Sequence, residues 1–237
     1  MIKYIISNNT KQIYVISVFP EIVENFIKYG VLKRSQDKDL LKINMINLRD
    51  FSKNKGQIDD KPYGGGAGMV LQAQPLIDAT RFAKSNLENY KCIYLSPKGR
   101  KMNQKMVAEA ANDEDLIIVA GRYEGVDQRF IDLEVDEEWS IGDYILSGGE
   151  VAACVIIDSI ARMIPGVLGN DNSNVDDSFS NSTLEYPHYT RPEKVENISV
   201  PDVLLSGNHQ EIRKWRENQA LEETKIKRSD LLKKKLS

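Results

Sequence analysis

Leu116-Ile117-Ile118-Val119-Ala120 is an almost unbroken apolar run that ends on Gly121. A strand apolar on both faces belongs inside a parallel sheet with helices on either side, because a half-exposed strand would alternate. The neighbouring chain agrees. Residues 13–19 read as a strand around Tyr14-Val15-Ile16. Pro20 opens a helix over 20–29, with Ile22, Val23, Phe26 and Ile27 on one face, and Gly30 follows as its cap. Residues 42–48 form a second strand, and Ile93-Tyr94-Leu95 a short buried one that ends at Ser96-Pro97. Helical stretches over 74–84, 103–111 and 149–164 complete the pattern. This alternation predicts an α/β domain with a parallel sheet, whose ligands sit at the carboxyl ends of the strands.

Two glycine-laced loops fall at such ends: Gly121-Arg122-Tyr123-Glu124-Gly125, and the segment WSIGDYILSGGE over 139–150. Glycines let backbone amides and carbonyls come close to a ligand. Both loops carry acids, Glu124, Asp143 and Glu150, whereas a phosphate cradle is neutral or basic there because carboxylates repel phosphate. The pair suits a ligand with hydroxyls, an adenine edge and a positive charge. Simple turn formation is the alternative for the glycines, and capping is the alternative for the acids. A third glycine element, Pro62-Tyr63-Gly64-Gly65-Gly66-Ala67-Gly68, is not a dinucleotide fingerprint, because no strand leads into it and the spacing fails after Gly68. Nor is it a phosphate loop, since no Gly-Lys-Ser/Thr follows. A flexible loop is one reading. The other uses Asp59, Asp60, Gln72 and Gln74 beside it to read the edge of a base.

The chain's 237 residues suffice for one large domain, or one domain with a small companion. No apolar run approaches the roughly 20 residues of a membrane helix, and Met1-Ile2-Lys3-Tyr4 lacks a signal-peptide layout. Only Cys92 and Cys154 are present, each inside an apolar run, and His188 and His209 lack metal-ligand spacing. A disulfide framework or zinc site is not expected, which points to a reduced, cytoplasmic protein without a membrane partner. The net charge of −3 divides into +2 over 184–237 and −5 over the remainder. That is not the dense basic footprint of a non-specific nucleic-acid binder. Local basic patches occur at 98–101, 213–216 and 225–228, each a contact surface or simply a solvated face.

Pro165-Gly166 stops the last helix of the α/β pattern. Residues 169–183, dominated by Asn, Asp, Ser and Gly, read as a flexible linker that cannot bury a core. Asn208 with Glu211 resembles a capping box ahead of a helix that carries Trp215. The expected organisation is a domain over 1–168, the linker 169–183, and a small helical domain over 184–237.

Several blocks then resemble one family in its own order: 59–69 (DDKPYGGGAGM), Tyr94-Leu95-Ser96-Pro97, Gly121-Arg122-Tyr123-Glu124-Gly125, 138–144 (EWSIGDY), Leu146-Ser147-Gly148-Gly149-Glu150, 164–169 (IPGVLG), 187–192 (PHYTRP) and 205–209 (LSGNH). They resemble the bacterial tRNA (guanine-N1)-methyltransferase family. The resemblance implies a trefoil-knotted methyltransferase domain of the SPOUT class, a linker and a helical tRNA-binding domain. It also implies a homodimer with active sites at the subunit interface. Residues 170–176 depart from the family pattern, while Asp177-Ser178-Phe179 keeps it.

The implied reaction moves a methyl group from S-adenosylmethionine to N1 of the guanine at tRNA position 37, next to the anticodon. The implied cofactor contacts are Tyr94, Leu95, Ser96 and Pro97, then Gly121, Tyr123 and Glu124, then Ser140, Ile141, Gly142, Asp143, Tyr144, Ile145, Leu146, Gly148 and Gly149. Backbone around Ile141, Gly142, Tyr144 and Leu146 would bracket the adenine. Guanine N1 carries a proton, so a base must remove it and a cation must hold the charge that develops on O6. The family pattern places these at Asp177 and Arg162. Read without the family, Arg162 is a surface residue paired with Asp158 and Asp177 a solvated linker acid. The implied RNA contacts are Asp59, Gly68, Ser178, His188, Tyr189, Arg191, Arg213, Lys214 and Trp215, although Trp215 is equally a core residue. Magnesium is suggested by the resemblance, but its ligand set is not legible. An RNA-binding relative without catalysis would have lost Arg162, Asp177 or the cofactor loops, and a nicotinamide-dependent dehydrogenase would carry the missing fingerprint.

Overall fold

The computed structural model describes residues 10–54, 56–112, 114–168, 178–179 and 182–233. Two compact units divide the chain, residues 1–169 and 170–237. The first begins with β1 (Lys11–Ser17), α1 (Pro20–Phe26), α2 (Gly30–Asp37), β2 (Leu41–Asn47), a 3-10 turn (Leu48–Phe51), β3 (Asp59–Asp60), β4 (Val70–Leu71) and α3 (Ala73–Lys84). It continues with β5 (Tyr90–Lys101), α4 (Gln104–Asn112), β6 (Asp115–Ala120), α5 (Gln128–Glu134), β7 (Glu137–Ser140) and α6 (Glu150–Met163).

Five strands form one parallel sheet in the order β2-β1-β6-β5-β7. The apolar run of β6 occupies the middle of that order. Ile117, Ile118 and Val119 are fully buried, and each contributes about 1.5–3 kcal/mol by leaving water. The two-residue period of a strand sorts these side chains onto two faces. Ile13, Val15, Ile93, Leu116 and Ile118 pack with α1, α2, α4 and α6. Tyr14, Ile16, Cys92, Tyr94, Ile117 and Val119 pack with α3 and α5. The result is a helix–sheet–helix sandwich with its ligand edge at the carboxyl ends of β5, β6 and β7.

Three local expectations change. The helix beginning at Pro20 ends at Phe26, and the chain turns at Gly30, with φ +61°, into a second helix, α2. Gly30 therefore joins two helices instead of ending one. β5 does not finish at Ser96-Pro97 but runs to Lys101. Its ladder with β7 breaks there, so that Trp139 faces both Leu95 and Arg100. Proline supplies no amide for the ladder, which explains both the break and why the sequence reads as a stop. Finally, α5 and β7 fall in a stretch whose apolar pattern is too short to announce them.

Burial pushes the Cys92 thiol up to about 12 and the Cys154 thiol up to about 11. Neither is a thiolate near neutral pH, so neither supplies a nucleophile. No helix among the described residues is long and apolar enough to cross a membrane.

The second unit contains β8 (Lys194–Val195), β9 (Ile198–Ser199), α7 (Asp202–Leu205), α8 (His209–Lys227) and α9 (Asp230–Lys233). Asn208 caps α8 as expected, accepting from the amides of Gln210 and Glu211. The reciprocal half of the box differs, because the Asn208 amide donates to Ser206 Oγ at 3.1 Å. Buried Thr224 ties α8 to the chain entering the unit. Its Oγ1 accepts from the Leu184 amide at 2.8 Å and donates to the Ala220 carbonyl at 2.6 Å.

Candidate functional site

The carboxyl ends of β5, β6 and β7 open into a cavity of about 450 Å³, within the roughly 300–1,000 Å³ of small-ligand sites. Every expected cofactor contact lines it except Asp143. Asp143 instead pairs with Lys101 at 2.9 Å on the open surface.

Two backbone links hold the glycine loops together. The Gly149 amide donates to the Gly121 carbonyl at 2.8 Å, and Arg122 and Gly148 form an antiparallel bridge. A Cβ on Gly149 would stand 2.8 Å from the Ala120 Cα, so the close approach of the loops requires glycine. Within the longer loop, the Gly142 amide donates to Ser140 Oγ at 3.2 Å, and the Ser140 hydroxyl donates to the Gly142 carbonyl at 3.1 Å. Gly142 holds φ +153°, and a Cβ there would sit 2.4 Å from the Tyr144 ring.

Glu150 does not face the cavity as one of three ligand-directed acids. It is the first residue of α6, it is 1% exposed, and it is committed within the protein. The Ser17 hydroxyl donates to its Oε1 at 2.8 Å. Arg122 Nε donates to Oε1 at 3.1 Å and lies 3.0 Å from Oε2. The Arg122 guanidinium lies 4.7 Å from the centre of the Phe19 ring. A helix N-terminus favours a carboxylate, and removing one partner of such a buried pair costs about 3–5 kcal/mol. The carboxylates that line the cavity are Glu124 and an acid that the motif reading passed over, Glu138, set beside the cations Lys98 and Arg122. The Glu138 Oε2 is shielded from water and has no hydrogen-bond partner, yet the residue lines the cavity. The signal for it is strand alternation. Glu137 and Trp139 flank it and bond each other through Trp139 Nε1 at 2.8 Å, so Glu138 points the other way. Burial, together with the nearby Glu138 charge, pushes the Tyr94 hydroxyl up to about 12, so it stays protonated at neutral pH.

The glycine run docks on the shorter loop. The Glu124 amide donates to the Met69 carbonyl at 3.0 Å, and the Leu71 amide to the Gly125 carbonyl at 3.0 Å. A Cβ on Gly68 would stand 2.5 Å from the Glu124 carboxylate. Asp59 pairs with Leu71 in the short β3–β4 ribbon, which sets Asp59 and Gly68 beside the cavity. Tyr63, on the same run, is 99% exposed.

Arg162 lies in the last turn of α6 and is half-buried. Asp177 lies outside the described residues. Among the described residues no group of three or more His, Cys, Asp or Glu could hold a metal ion, so no magnesium ligands are assigned.

In the second unit, a cavity of about 530 Å³ gathers His188, Tyr189, Arg191 and Trp215 with Tyr186 and Arg216. Trp215 is half-buried, neither core nor free surface, with its ring 6.3 Å from that of Tyr189. Arg213 and Lys214 are exposed on α8. Ser178 is used locally, its Oγ accepting from the Glu185 amide at 3.0 Å.

The description "tRNA (Guanine-1)-methyltransferase TrmD" matches residues 11–234. Relatives named tRNA (guanine-N(1)-)-methyltransferase align along nearly the whole chain. One from Buchnera aphidicola subsp. Schizaphis graminum is 52% identical over 223 residues, 94% of this chain and 85% of the relative. One from Actinobacillus succinogenes is 51% identical over 222 residues, covering 93% and 91%. One from Salmonella newport is 53% identical over 220 residues, covering 92% and 86%.

Proposed function

The chain belongs to the tRNA (guanine-1)-methyltransferase family, and on that premise we propose that it methylates N1 of the guanine at tRNA position 37, beside the anticodon, using S-adenosylmethionine. The observation that carries the assignment is the cavity at the carboxyl ends of β5–β7, walled by the residues that the family pattern designates. Incubating the protein with labelled S-adenosylmethionine and unmodified tRNA, then mapping the methylated nucleoside, tests it. Label in any nucleoside other than 1-methylguanosine at position 37 would overturn it.

The cavity fits the donor chemically. Its walls are glycine-rich backbone, apolar side chains and a few polar ones, with Glu124 and Glu138 as acceptors, Lys98 as a cation, and Arg122 already paired with Glu150. Bound there, S-adenosylmethionine supplies an activated methyl group. Glu138 gives its unpartnered oxygen to a donor N–H or O–H. A hydrogen bond to a charged group is worth about 1.5–3 kcal/mol. Glu138→Gln is therefore expected to weaken both S-adenosylmethionine and its demethylated product by roughly 10- to 150-fold in calorimetry. Unchanged affinities would remove Glu138 from the binding site.

Asp177 takes the N1 proton, and Arg162 holds the developing charge on O6. A free aspartate titrates near 4, too low for an ideal base at pH 7. Arg162, always charged, compensates by lowering the pKa of the guanine itself. Residues 184–237 serve as the tRNA-binding domain and 169–183 as the linker that orders on binding. The cytoplasm, where tRNA resides, is the compartment this role requires.

The active protein is a homodimer with shared sites. Arg162 lies twelve residues beyond Glu150 on α6, about 18 Å along the axis at 1.5 Å per residue. Ala152, two residues after Glu150, is the last α6 residue that lines the cavity, and the remaining separation supports a site to which a second copy brings its Arg162. Exposed apolar pairs one helical turn apart, Ile22 with Phe26 on α1 and Val151 with Val155 on α6, supply a surface for that copy, and the two helices pack on each other. Val155→Glu is expected to give a monomer in sedimentation that binds the donor but does not transfer methyl. A monomeric wild-type protein with full activity would refute the shared site. The return of the chain from edge strand β7, across the ends of β5 and β6, into α6 supports a trefoil knot.

A further inference from the structure

The cavity of the second unit differs from an ordinary loose core in its walls and its charge. Aromatic rings face it from two directions. Tyr186 stands with its centroid 4.8 Å from that of His188, and Tyr189 stands against Trp215. The Arg216 guanidinium lies 4.8 Å from the centre of the Tyr186 ring, and Arg191 is part of the same wall. Half-buried Leu204 and Ile212 complete an apolar lining. Tyr189 remains 46% exposed, so the aromatic surface is open to a visitor.

The charges are distributed unevenly along α8. Near its carboxyl end every cation has a partner: Lys225 with Glu222, Lys227 with Glu223, and Arg228 with Asp230. Arg191 and Arg216, which line the cavity with Glu193, have no carboxylate partner among the described residues, and neither do Arg213 and Lys214 on the adjoining turn of α8. Unpartnered guanidinium groups beside open aromatic rings fit a ligand that is itself both aromatic and anionic. Stacking on aromatic side chains and Arg planes is how unpaired bases are held, and Arg contributes through both its charge and its plane.

We propose that this cavity holds one unstacked nucleotide of the tRNA, its base between Tyr189, Trp215 and the Arg216–Tyr186 pair and its phosphate on the surrounding arginines. It holds a second base, distinct from the methylated guanine, since the donor cavity is walled by residues 94–152 alone. The proposal rests on the tRNA-substrate reading, but its ligand class can be tested apart from methyl transfer. A cavity of about 530 Å³ accommodates a nucleotide.

The test uses the full-length protein with its two tryptophan indoles labelled for NMR. Guanosine, adenosine, cytidine and uridine monophosphates, added to millimolar concentration with the donor cavity filled by S-adenosylmethionine's demethylated product, are expected to shift the Trp215 indole and not that of Trp139, which lines the donor cavity. Arg216→Gln and Tyr189→Ala should each abolish the shift. No shift with any of the four, or an equal shift with inorganic phosphate alone, would overturn the proposal, the latter by reducing the cavity to an anion patch. In methylation assays, stacking worth about 1–3 kcal/mol per base predicts that Tyr189→Ala raises KM for tRNA by roughly 5- to 150-fold. kcat and donor affinity should hold. A purely structural role would lower kcat and donor affinity together. If nucleotides bind but no tRNA is methylated by the wild type, the enzymatic reading fails while the pocket stands.

Discussion

Asparagine in place of Asp177 will lower the single-turnover rate of methylation at saturating tRNA by about 10²–10⁴-fold, the usual contribution of a general base. Asparagine keeps the shape of the side chain and removes its basicity, and donor affinity should not change, because the group acts on the tRNA proton. Rapid-quench measurement decides the matter, and a near-wild-type rate would mean that another group accepts the proton. Arg162→Ala should cause a comparable loss with an added signature in pH. If Arg162 lowers the pKa of guanine N1 through O6, its removal raises that pKa, and the rising limb of the rate must move to higher pH. Lysine restores charge without the planar fork, so Arg162→Lys should rescue only partly. A rate loss with an unmoved profile would leave Arg162 with positioning alone.

Gly142→Val should lower affinity for S-adenosylmethionine by roughly 5- to 150-fold. A side chain at φ +153° is strained, and its Cβ would stand 2.4 Å from the Tyr144 ring. Strain of this kind costs about 1–3 kcal/mol, and it falls on the loop that forms the cavity wall. The damage comes through Tyr144 and the loop, not from filling the ligand's space directly. Gly142→Val combined with Tyr144→Ala removes the collision but keeps the backbone strain, and should recover part of the affinity. Calorimetry showing wild-type binding by the single variant would mean that the loop bends freely and its observed form is not required.

The sheet and both cavity loops were legible because their signals are local. The apolar run of β6 and the glycines after it need no distant partner to be recognised. What escaped depends on contacts between remote residues. Glu150 reads in its loop as either a ligand acid or a cap, and the choice is made by Arg122 and Ser17, which lie 28 and 133 residues away. Glu138 sits in a four-residue strand, too short for its alternation to stand out against the next acid. Pro97 reads as the end of a strand because it lacks an amide, although β5 resumes at Arg100. Residue chemistry alone does not assign roles to Arg162 and Asp177; those came from the resemblance. The aromatic residues of the second unit were visible singly, but their common cavity and the contrast between paired and unpaired cations along α8 emerge only in three dimensions.

The Ser17–Glu150–Arg122 junction also sets the order in which the molecule can mature. Its members come from the first strand, the turn after the central strand, and the start of the last helix of the sheet unit. A nascent chain that has not yet released residue 150 from the ribosome can lay down β1 and β2, but has no finished donor cavity to protect. Contacts of such long sequence separation close late and slowly, leaving the apolar ends of the sheet exposed to misassembly in the interval. Once the junction is made, donor binding draws on the same free energy as the native state. Saturating donor at 100 times its Kd would add about 2.7 kcal/mol to the folded form. If the cavity takes S-adenosylmethionine as proposed, the methyl donor would double as a folding ligand, and donor-free copies would be the more vulnerable to proteolysis.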